Sequence, residues 1–71
     1  MKKVHLIKNG LNGSQILATA VIFNEENEFM GTAQVYYNER DSANDIISLI
    51  SIDNAEVFEY FIGGRPNRKK K

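Results

Sequence analysis

Four apolar runs with strand-like composition, joined by short polar turns, leave this chain little choice of fold. The runs are KVHLIK (3–8), QILATAVIF (15–23), FMGTAQVYY (29–37) and EVFEYFI (56–62). Aromatic and β-branched residues favour strands, and successive side chains of a strand point to opposite faces. The first part of the second run, Gln15 to Ala20, would also allow a helix, but Val21, Ile22 and Phe23 favour a strand, which we predict.

One stretch between the third and fourth runs has helical spacing instead. Ser42 and Asp45 form a candidate capping box, and Ala43, Ile46, Ile47 and Ile50 follow at the spacing of one helix face. Isoleucine also suits strands, so IISLISI has a strand alternative; the cap and the spacing favour a helix of about ten residues. The predicted order is therefore β-β-β-α-β, a small α+β domain over residues 1–62 with one helix packed on an antiparallel sheet. The predicted core residues are Phe29, Ala33, Val35, Tyr37, Ile46, Ile47, Ile50, Phe58 and Phe61.

The size of the chain limits how it is stabilised. It has 71 residues and no cysteine, so neither a disulfide nor a thiolate metal site is available. A partner chain is one remaining source of stability, and we expect a homodimer. No segment reaches the roughly 18 apolar residues that span a bilayer, and the N-terminal apolar run is too short for a signal peptide. We expect a cytoplasmic protein that does not contact a membrane.

The net charge of zero hides an uneven distribution of charges. All nine acidic residues lie between Glu25 and Glu59, where Arg40 is the only basic residue. The segment RPNRKKK at residues 65–71 carries five positive charges, and we expect residues 63–71 to form a flexible basic tail. Such asymmetry indicates a polyanion as partner, or the tail of one chain meeting the body of another.

Catalytic chemistry finds little support in the sequence. His5 is the single histidine, and its place in a strand predicts a surface or rim residue without a catalytic partner. Glu25, Glu26 and Glu28 lie in a polar turn, where solvation is the simplest interpretation. Gly63-Gly64 is not followed by a helix whose N-terminus could bind phosphate. We expect a protein that is not an enzyme and that needs no metal or cofactor.

Residues 18–62 resemble the second half of an RNA-recognition motif. In that family the third strand alternates Gly or Ala with aromatic residues, and Gly31, Ala33, Val35 and Tyr37 fall in register with it. Ser42-Ala43 and Ile46-Ile47 fall where the second helix of the family begins, and EVFEYFI would be its fourth strand. Thr32 and Gln34 stand where the family has its base-stacking aromatics, and Met30 replaces a basic residue. The resemblance implies an RNA-binding sheet.

Two tyrosines are the stacking candidates that the chain itself offers. Tyr36 alternates with Thr32 and Gln34 on one face of the third strand, and Tyr60 lies in the last strand; both also suit ordinary cross-strand packing. With the basic residues of both ends they form the predicted nucleic-acid site. Its members are Lys2, Lys3, Lys8, Tyr36, Tyr60, Arg65, Arg68, Lys69, Lys70 and Lys71. The first hypothesis is thus a small accessory protein that binds RNA in preference to DNA; the tail could equally serve only solubility.

The second hypothesis is an inhibitor that binds a host protein. Small cysteine-free chains rich in Asn, Ile, Lys and Glu are similar in composition to accessory proteins of bacteriophages. An acidic body whose carboxylates cluster around one end would meet a basic surface of a host enzyme, or imitate nucleic acid, and charge complementarity would speed that encounter. Its candidate residues are Glu25, Glu26, Glu28, Glu39, Asp41 and Asp45.

Overall fold

The computed structural model describes residues 1–60 and the backbone of residues 66–70. The elements are β1 (Lys2–Asn12), β2 (Gln15–Phe23), β3 (Phe29–Asn38), α1 (Ala43–Leu49), β4 (Ala55–Tyr60) and β5 (Pro66–Lys70). They form one sheet in the order β3-β2-β1-β4-β5. The predicted α+β fold is confirmed, and residues 15–23 are a strand. The sheet is mixed, because α1 returns the chain to run parallel to β1 as β4, while the other neighbouring strands are antiparallel.

The two hairpin turns follow from the local sequence. Asn12 pairs with Gln15, so Gly13 and Ser14 form a two-residue loop, and Gly13 has the positive φ of 66° that glycine permits. The earlier Asn9-Gly10 pair lies inside β1, at a shift of register between Lys8 and Gly10. In the turn at residues 24–28, the Asn24 side chain accepts hydrogen bonds from two backbone N–H groups.

Helix α1 is defined at both ends. The predicted capping box is present: Ser42 Oγ accepts from the Asp45 backbone N–H at 3.3 Å, and Asp45 Oδ2 accepts from the Ser42 N–H at 3.1 Å. At the other end the N–H of Ile52 donates to the Ile47 carbonyl and that of Ser51 to the Ser48 carbonyl, which is a Schellman motif. Ser51 takes the left-handed φ of 58° that glycine usually supplies there. This motif ends the helix at Leu49, three residues earlier than the length of about ten predicts.

The core lies between α1 and one face of the sheet, which we call the core face. Its buried apolar residues are Val4, Leu6, Ile16, Ala18, Ala20, Ile22, Val35, Tyr37, Ile46, Ile47 and Val57. Of the predicted core, Val35, Tyr37, Ile46 and Ile47 are confirmed as buried, Ile50 packs against the cluster, and Ala33 is half-buried. Phe61 lies outside the described residues.

Two predicted core residues are wrong. Phe29 is 63% exposed, because an irregularity in the β2–β3 register pairs Ile22 with Gly31 but Phe23 with Phe29. The extra residue, Met30, breaks the alternation that would have carried Phe29 to the core face, as a β-bulge does. Phe58 is only half-buried and lies on the other face, since its neighbours Val57 and Glu59 take the buried positions in β4.

The C-terminal segment is described in part. Where the sequence predicts a tail, the backbone of Pro66–Lys70 pairs antiparallel with β4, matching Val57 with Lys70, Phe58 with Lys69 and Glu59 with Arg68. This pairing supplies partners for the second edge of β4, whose N–H and C=O groups would otherwise face water. Residues 61–65 and 71 lie outside the described residues, so the domain boundary at residue 62 and the mobility of residues 63–71 stay predictions.

Candidate nucleic-acid interface

The face of the sheet opposite α1 is the candidate site, and we call it the open face. Within the described part of the chain, α1 is the one element outside the sheet, and it covers the core face. Side chains that alternate with the buried ones in each strand therefore remain half-buried or exposed. The open-face residues include Lys3, His5, Ile7, Leu17, Thr19, Val21, Phe23, Thr32, Gln34, Tyr36, Phe58 and Tyr60.

Ring side chains from four strands meet on this face around His5, and we call them the aromatic cluster: His5, Phe23, Phe29, Phe58 and Tyr60. The His5 imidazole stacks on the Phe58 ring with centroids 5.1 Å apart and meets the Phe23 ring edge-on at 5.5 Å. Phe29 packs on Phe23 at 6.0 Å. The strand register explains the meeting, because His5 in β1 lies directly between Val21 of β2 and Phe58 of β4. Offset and edge-on geometries of this kind are the favourable ones for aromatic pairs.

A hydrogen bond fixes the polar end of the cluster. His5 Nδ1 and Tyr60 Oη lie 2.6 Å apart, and their rings are tilted by 40°. Beside this pair an open depression of about 320 Å³ is lined by His5, Ile7, Val21, Phe23 and Tyr60. The depression is apolar except for the imidazole and the phenol, so it would suit a flat aromatic ligand that hydrogen-bonds at one edge.

The His5 imidazole is held neutral at physiological pH. Burial among the rings lowers its pKa from the ordinary value of 6.5, and the nearby positive charge of Lys3 lowers it further. Lys3 therefore lies close enough to the cluster to act on it electrostatically. In the register of β1 and β4, Lys3 is opposite Glu56, which places one acidic residue on the same face.

Tyr36 shares the open face with Tyr60 but lies apart from the aromatic cluster. Tyr36 is in β3 and Tyr60 in β4, so β2 and β1 lie between them and the two strands are roughly 14 Å apart at the usual strand spacing. Between them Thr19 Oγ1 accepts hydrogen bonds from Asn9 Nδ2 at 2.9 Å and from Gln34 Nε2 at 3.1 Å. Tyr36 itself is 49% exposed. The two predicted stacking residues thus face the same side, and a polar ladder lies between them.

The predicted basic residues of β1 divide between the two faces. Lys3 lies on the open face, whereas Lys8 points to the core face, where its side chain is only 14% exposed and its Nζ is 3.7 Å from carboxylate oxygens of Glu39 and Glu59. Lys2, at the start of β1, pairs with Asp53 at 3.7 Å and Glu25 at 4.0 Å. The structure therefore separates Lys8 from Tyr36 and Tyr60, and we leave it out of the interface.

The core face has a polar group of its own at this point. Glu59 is buried, and the Tyr37 hydroxyl donates to its Oε2 at 2.9 Å, the same oxygen that faces Lys8. The sequence gives no sign of it, because the three residues come from β1, β3 and β4. A buried carboxylate needs such partners, and here they hold the C-terminal ends of the strands together.

The remaining predicted residues lie at the C-terminus. Arg68, Lys69 and Lys70 belong to β5, beside β4, with Lys69 in register with Phe58. Arg65 and Lys71 lie outside the described residues. Of these three, Lys69 shares the register of the open face, whereas Arg68 is opposite Glu59 and Lys70 opposite Val57, which are core-face residues.

The acidic residues do not gather at one end. The turn at residues 25–28 precedes β3 and the acidic residues 39–45 follow it, so the ten residues of β3, roughly 30 Å of strand, lie between them. Several are occupied locally: Glu25 pairs with Lys2, Glu39 with Lys8, and Asp41 accepts from the Asn38 N–H. This division removes the single acidic end that the second hypothesis needs.

Among the described residues, no group of three or more His, Asp or Glu side chains is arranged to hold a metal ion. In the same part of the chain, no helix has the length and apolarity that crossing a membrane requires. No protein-family model matches the chain, and neither a curated protein nor a solved structure matches it. The resemblance to the RNA-recognition motif stays a prediction.

Sequence reasoning missed most of the aromatic cluster. The sequence predicts His5 at a surface or rim and Phe58 in the core, and it assigns Phe23 to a strand but to neither of its faces. The available signal was that Phe58 and Tyr60, like His5 and Ile7, are two positions apart in a strand and therefore lie on the same face of it. Alternation alone does not say which of the two sets of side chains in a strand faces the helix. Because Glu59 is acidic and Phe58 is apolar, the set that contains Phe58 was the more plausible one to predict as buried.

Proposed function

We propose that the protein is a non-enzymatic accessory protein that binds single-stranded nucleic acid, RNA in preference to DNA, on the open face. The observation that carries the proposal is the aromatic cluster: ring side chains on a sheet face that no described element covers, next to the strand in which Lys69 is in register with Phe58. An exposed aromatic platform beside a positive track is the combination with which proteins bind single strands without strong sequence preference.

The geometry suits unpaired bases. Phe58, Tyr60 and Phe23 are half-buried, so their rings are anchored in the sheet while part of each remains accessible. The depression of about 320 Å³ is at the lower end of the roughly 300–1,000 Å³ that ligand sites span. The paired His5 Nδ1 and Tyr60 Oη would meet the polar edge of a base that enters it. Duplex bases are stacked on each other, so the proposal is limited to single strands.

The charges favour the β4–β5 side of the open face for phosphates. Lys3 and the β5 position in register with Phe58, Lys69, flank the aromatic cluster, whereas Lys2 and Lys8 are engaged by carboxylates. Glu56, opposite Lys3, partly offsets its charge. The binding strand would therefore run along β4 and β5, with Tyr36 available to a longer oligonucleotide that crosses β1 and β2. The preference for RNA, the cytoplasmic location and a bacteriophage source are carried over from the sequence alone.

Fluorescence anisotropy with labelled oligo(U) and oligo(dT) tests the proposal. Phe58→Leu and Tyr60→Leu keep apolar volume but remove the ring, and each is expected to weaken binding about 5- to 150-fold, the range of one lost base stack. Tyr36→Leu should weaken the binding of long oligonucleotides more than that of short ones. The control is Leu49→Ala, which alters a side chain 57% exposed on α1, on the opposite side of the sheet. Melting temperatures of all variants separate lost binding from lost folding.

A salt titration tests the electrostatic part. Replacing Lys69, which is in register with Phe58, by Gln should reduce the slope of log K against log salt by about 0.7 if it contacts one phosphate of a single strand, whereas the same change at Arg68 or Lys70, in register with the core-face residues Glu59 and Val57, should reduce it less. Arg40→Gln is the control, because it removes a positive charge at the far end of β3. The proposal is wrong if the intact chain has no affinity for either oligonucleotide at physiological salt, or if the ring variants bind like Leu49→Ala.

A pull-down from a host lysate with and without nuclease addresses the inhibitor hypothesis. Partners that disappear after nuclease treatment support nucleic-acid binding. A single host protein that is retained after nuclease, and that the Phe58→Leu and Tyr60→Leu variants still capture, would replace the proposal by the protein-binding alternative.

A further inference from the structure

Among the strands that the structure describes, β3 and β5 are the two outer ones, and each has a neighbouring strand on one side only. Such an edge is a template for pairing with another chain, and soluble proteins usually protect it with charged residues or proline. The two edges of this sheet differ in that respect. The strand β5, PNRKK, contains one proline and three basic residues, whereas β3, FMGTAQVYYN, contains neither a proline nor a charged residue.

The unprotected edge is also long and apolar. Phe29, Met30 and Tyr36 in β3 are 63%, 53% and 49% exposed, and they make up half of the large exposed apolar side chains in the described residues. The register irregularity at Phe29 and Met30 disturbs only the first residues. From Gly31 to Asn38 the strand pairs regularly with β2, and no other described strand pairs with its outer side.

We propose that β3 is the surface through which two copies of this chain pair edge to edge, antiparallel and about a two-fold axis, to form one continuous sheet. The occupant is a second copy because the strand is uncharged and can meet itself without repulsion, and because a two-fold axis lets the same edge serve both partners. A small domain gains stability from such an association.

The alternation of side chains restricts the register. Directly opposed residues of antiparallel strands must point to the same face, so the two-fold axis passes through a residue and not between two residues. The middle residues of β3 are Ala33 and Gln34, and an axis through either one gives the two registers that pair most of the strand. In both registers Arg40, just beyond the end of β3, comes near the acidic turn at residues 25–28 of the second copy. Within the described residues Arg40 forms no ion pair, and this turn carries three glutamates. The lone basic residue of the acidic body thereby gains opposite charges across the interface.

This arrangement places both open faces on one side of the joined sheet and both helices on the other. Tyr36 of each copy then lies near the axis. The inference does not depend on nucleic-acid binding, because it follows from the edge alone.

Sedimentation velocity over a concentration series is the first test. The intact chain is expected to show a monomer–dimer equilibrium, and Gln34→Lys, which places two like charges beside the axis, should raise the dissociation constant about tenfold or more. The control is Leu11→Lys, the same added charge at an exposed position of the β1–β2 hairpin. A chain that stays monomeric at every concentration, or a dimer that Gln34→Lys does not weaken, overturns the proposal.

Single-cysteine variants test the register, since the natural chain has no cysteine. Directly opposed residues of an antiparallel pair have Cα atoms about 4.5–5.5 Å apart, within the range that a disulfide bridges. Under mild oxidation, Gln34→Cys should crosslink to itself if the axis passes through Gln34. A mixture of Thr32→Cys and Gln34→Cys should form the mixed disulfide if the axis passes through Ala33. If neither crosslinks faster than Leu11→Cys, the two edges do not meet and the proposal is wrong.

Discussion

The two faces of this sheet are built from the same strands, yet only one is a core. On the core face Val4, Leu6 and Val57 are completely buried beneath α1. On the open face their neighbours His5 and Phe58 are only half-buried, although their rings stack on each other and His5 also meets Phe23 edge-on. Apolar character therefore does not decide burial in this sheet. What decides it is which face receives the one helix, and the other face remains available for a ligand.

The largest expected effect on stability distinguishes two adjacent residues of β1, one on each face. Leu6→Ala removes a fully buried side chain and is expected to lower the free energy of unfolding by about 2–5 kcal/mol. Ile7→Ala, on the open face, should cost clearly less because the site can already admit water. Urea unfolding of both variants measures the two losses. Equal losses would mean that the open face is also packed, for example against a second copy.

The polar group of the core face provides the next prediction. Tyr37→Phe removes the hydroxyl that donates to the buried Glu59, a hydrogen bond to a charged group that contributes about 1.5–3 kcal/mol. We expect the free energy of unfolding to fall by that amount in urea titrations, with little change in nucleic-acid affinity. Tyr60→Phe is the matched control, since it removes the hydroxyl bonded to His5 on the open face. A larger loss of stability for Tyr60→Phe than for Tyr37→Phe would contradict the assignment of the two faces.

The helix that distinguishes the faces can be weakened or strengthened at its ends. Ser42→Ala breaks the capping box and should cost about 0.5–2 kcal/mol. Ser51→Gly relieves a left-handed backbone at the Schellman motif and should add about 1 kcal/mol. Thermal unfolding followed by circular dichroism measures both. The comparison fails if Ser51→Gly is destabilising, because the strain inferred at this residue would then be absent.

The smallest effect concerns His5 and pH. Its pKa is lowered in the folded state by burial and by Lys3, so the unfolded chain takes up the proton first as the pH falls. The contribution of His5 to stability is therefore fully present above pH 6.5 and is lost as the pH falls through the lowered pKa. Urea midpoints between pH 7.5 and 5 should decline more for the natural chain than for His5→Gln. Identical pH profiles for the two proteins would show that His5 is not desolvated by the aromatic cluster.

Much of the fold could be predicted from short-range patterns. The strands, the helix start at Ser42 and the apolar stripe through Ile46 and Ile47 depend on residues within a few positions of one another, where propensity and capping act. Phe29 and Phe58 were misplaced for a different reason. A one-residue bulge turns Phe29 to the open face. Phe58 lies on the open face because Tyr37 and Lys8 allow its neighbour Glu59 to be buried on the core face.

The candidate site was less accessible to sequence reasoning. The sequence offers Tyr36 and Tyr60 as stacking residues without saying that they share a face, and it groups Lys8 with them although Lys8 lies on the core face. The cluster around His5 joins residues 5, 23, 29, 58 and 60, and its existence depends on β4 lying parallel to β1. No local pattern encodes that pairing, since the direction of β4 is set by how the crossover through α1 packs.

The sequence by itself determined β1 to β4, the helix, their order, the uneven charges and the absence of cysteine, because these are properties of neighbouring residues or of composition. The tertiary structure alone decided which face is covered, which lysines are engaged by carboxylates and which edge strand lacks protection. Those outcomes depend on contacts between residues far apart in the chain, where the burial of one group, such as Glu59, is favourable only once Lys8 and Tyr37 have been brought to it.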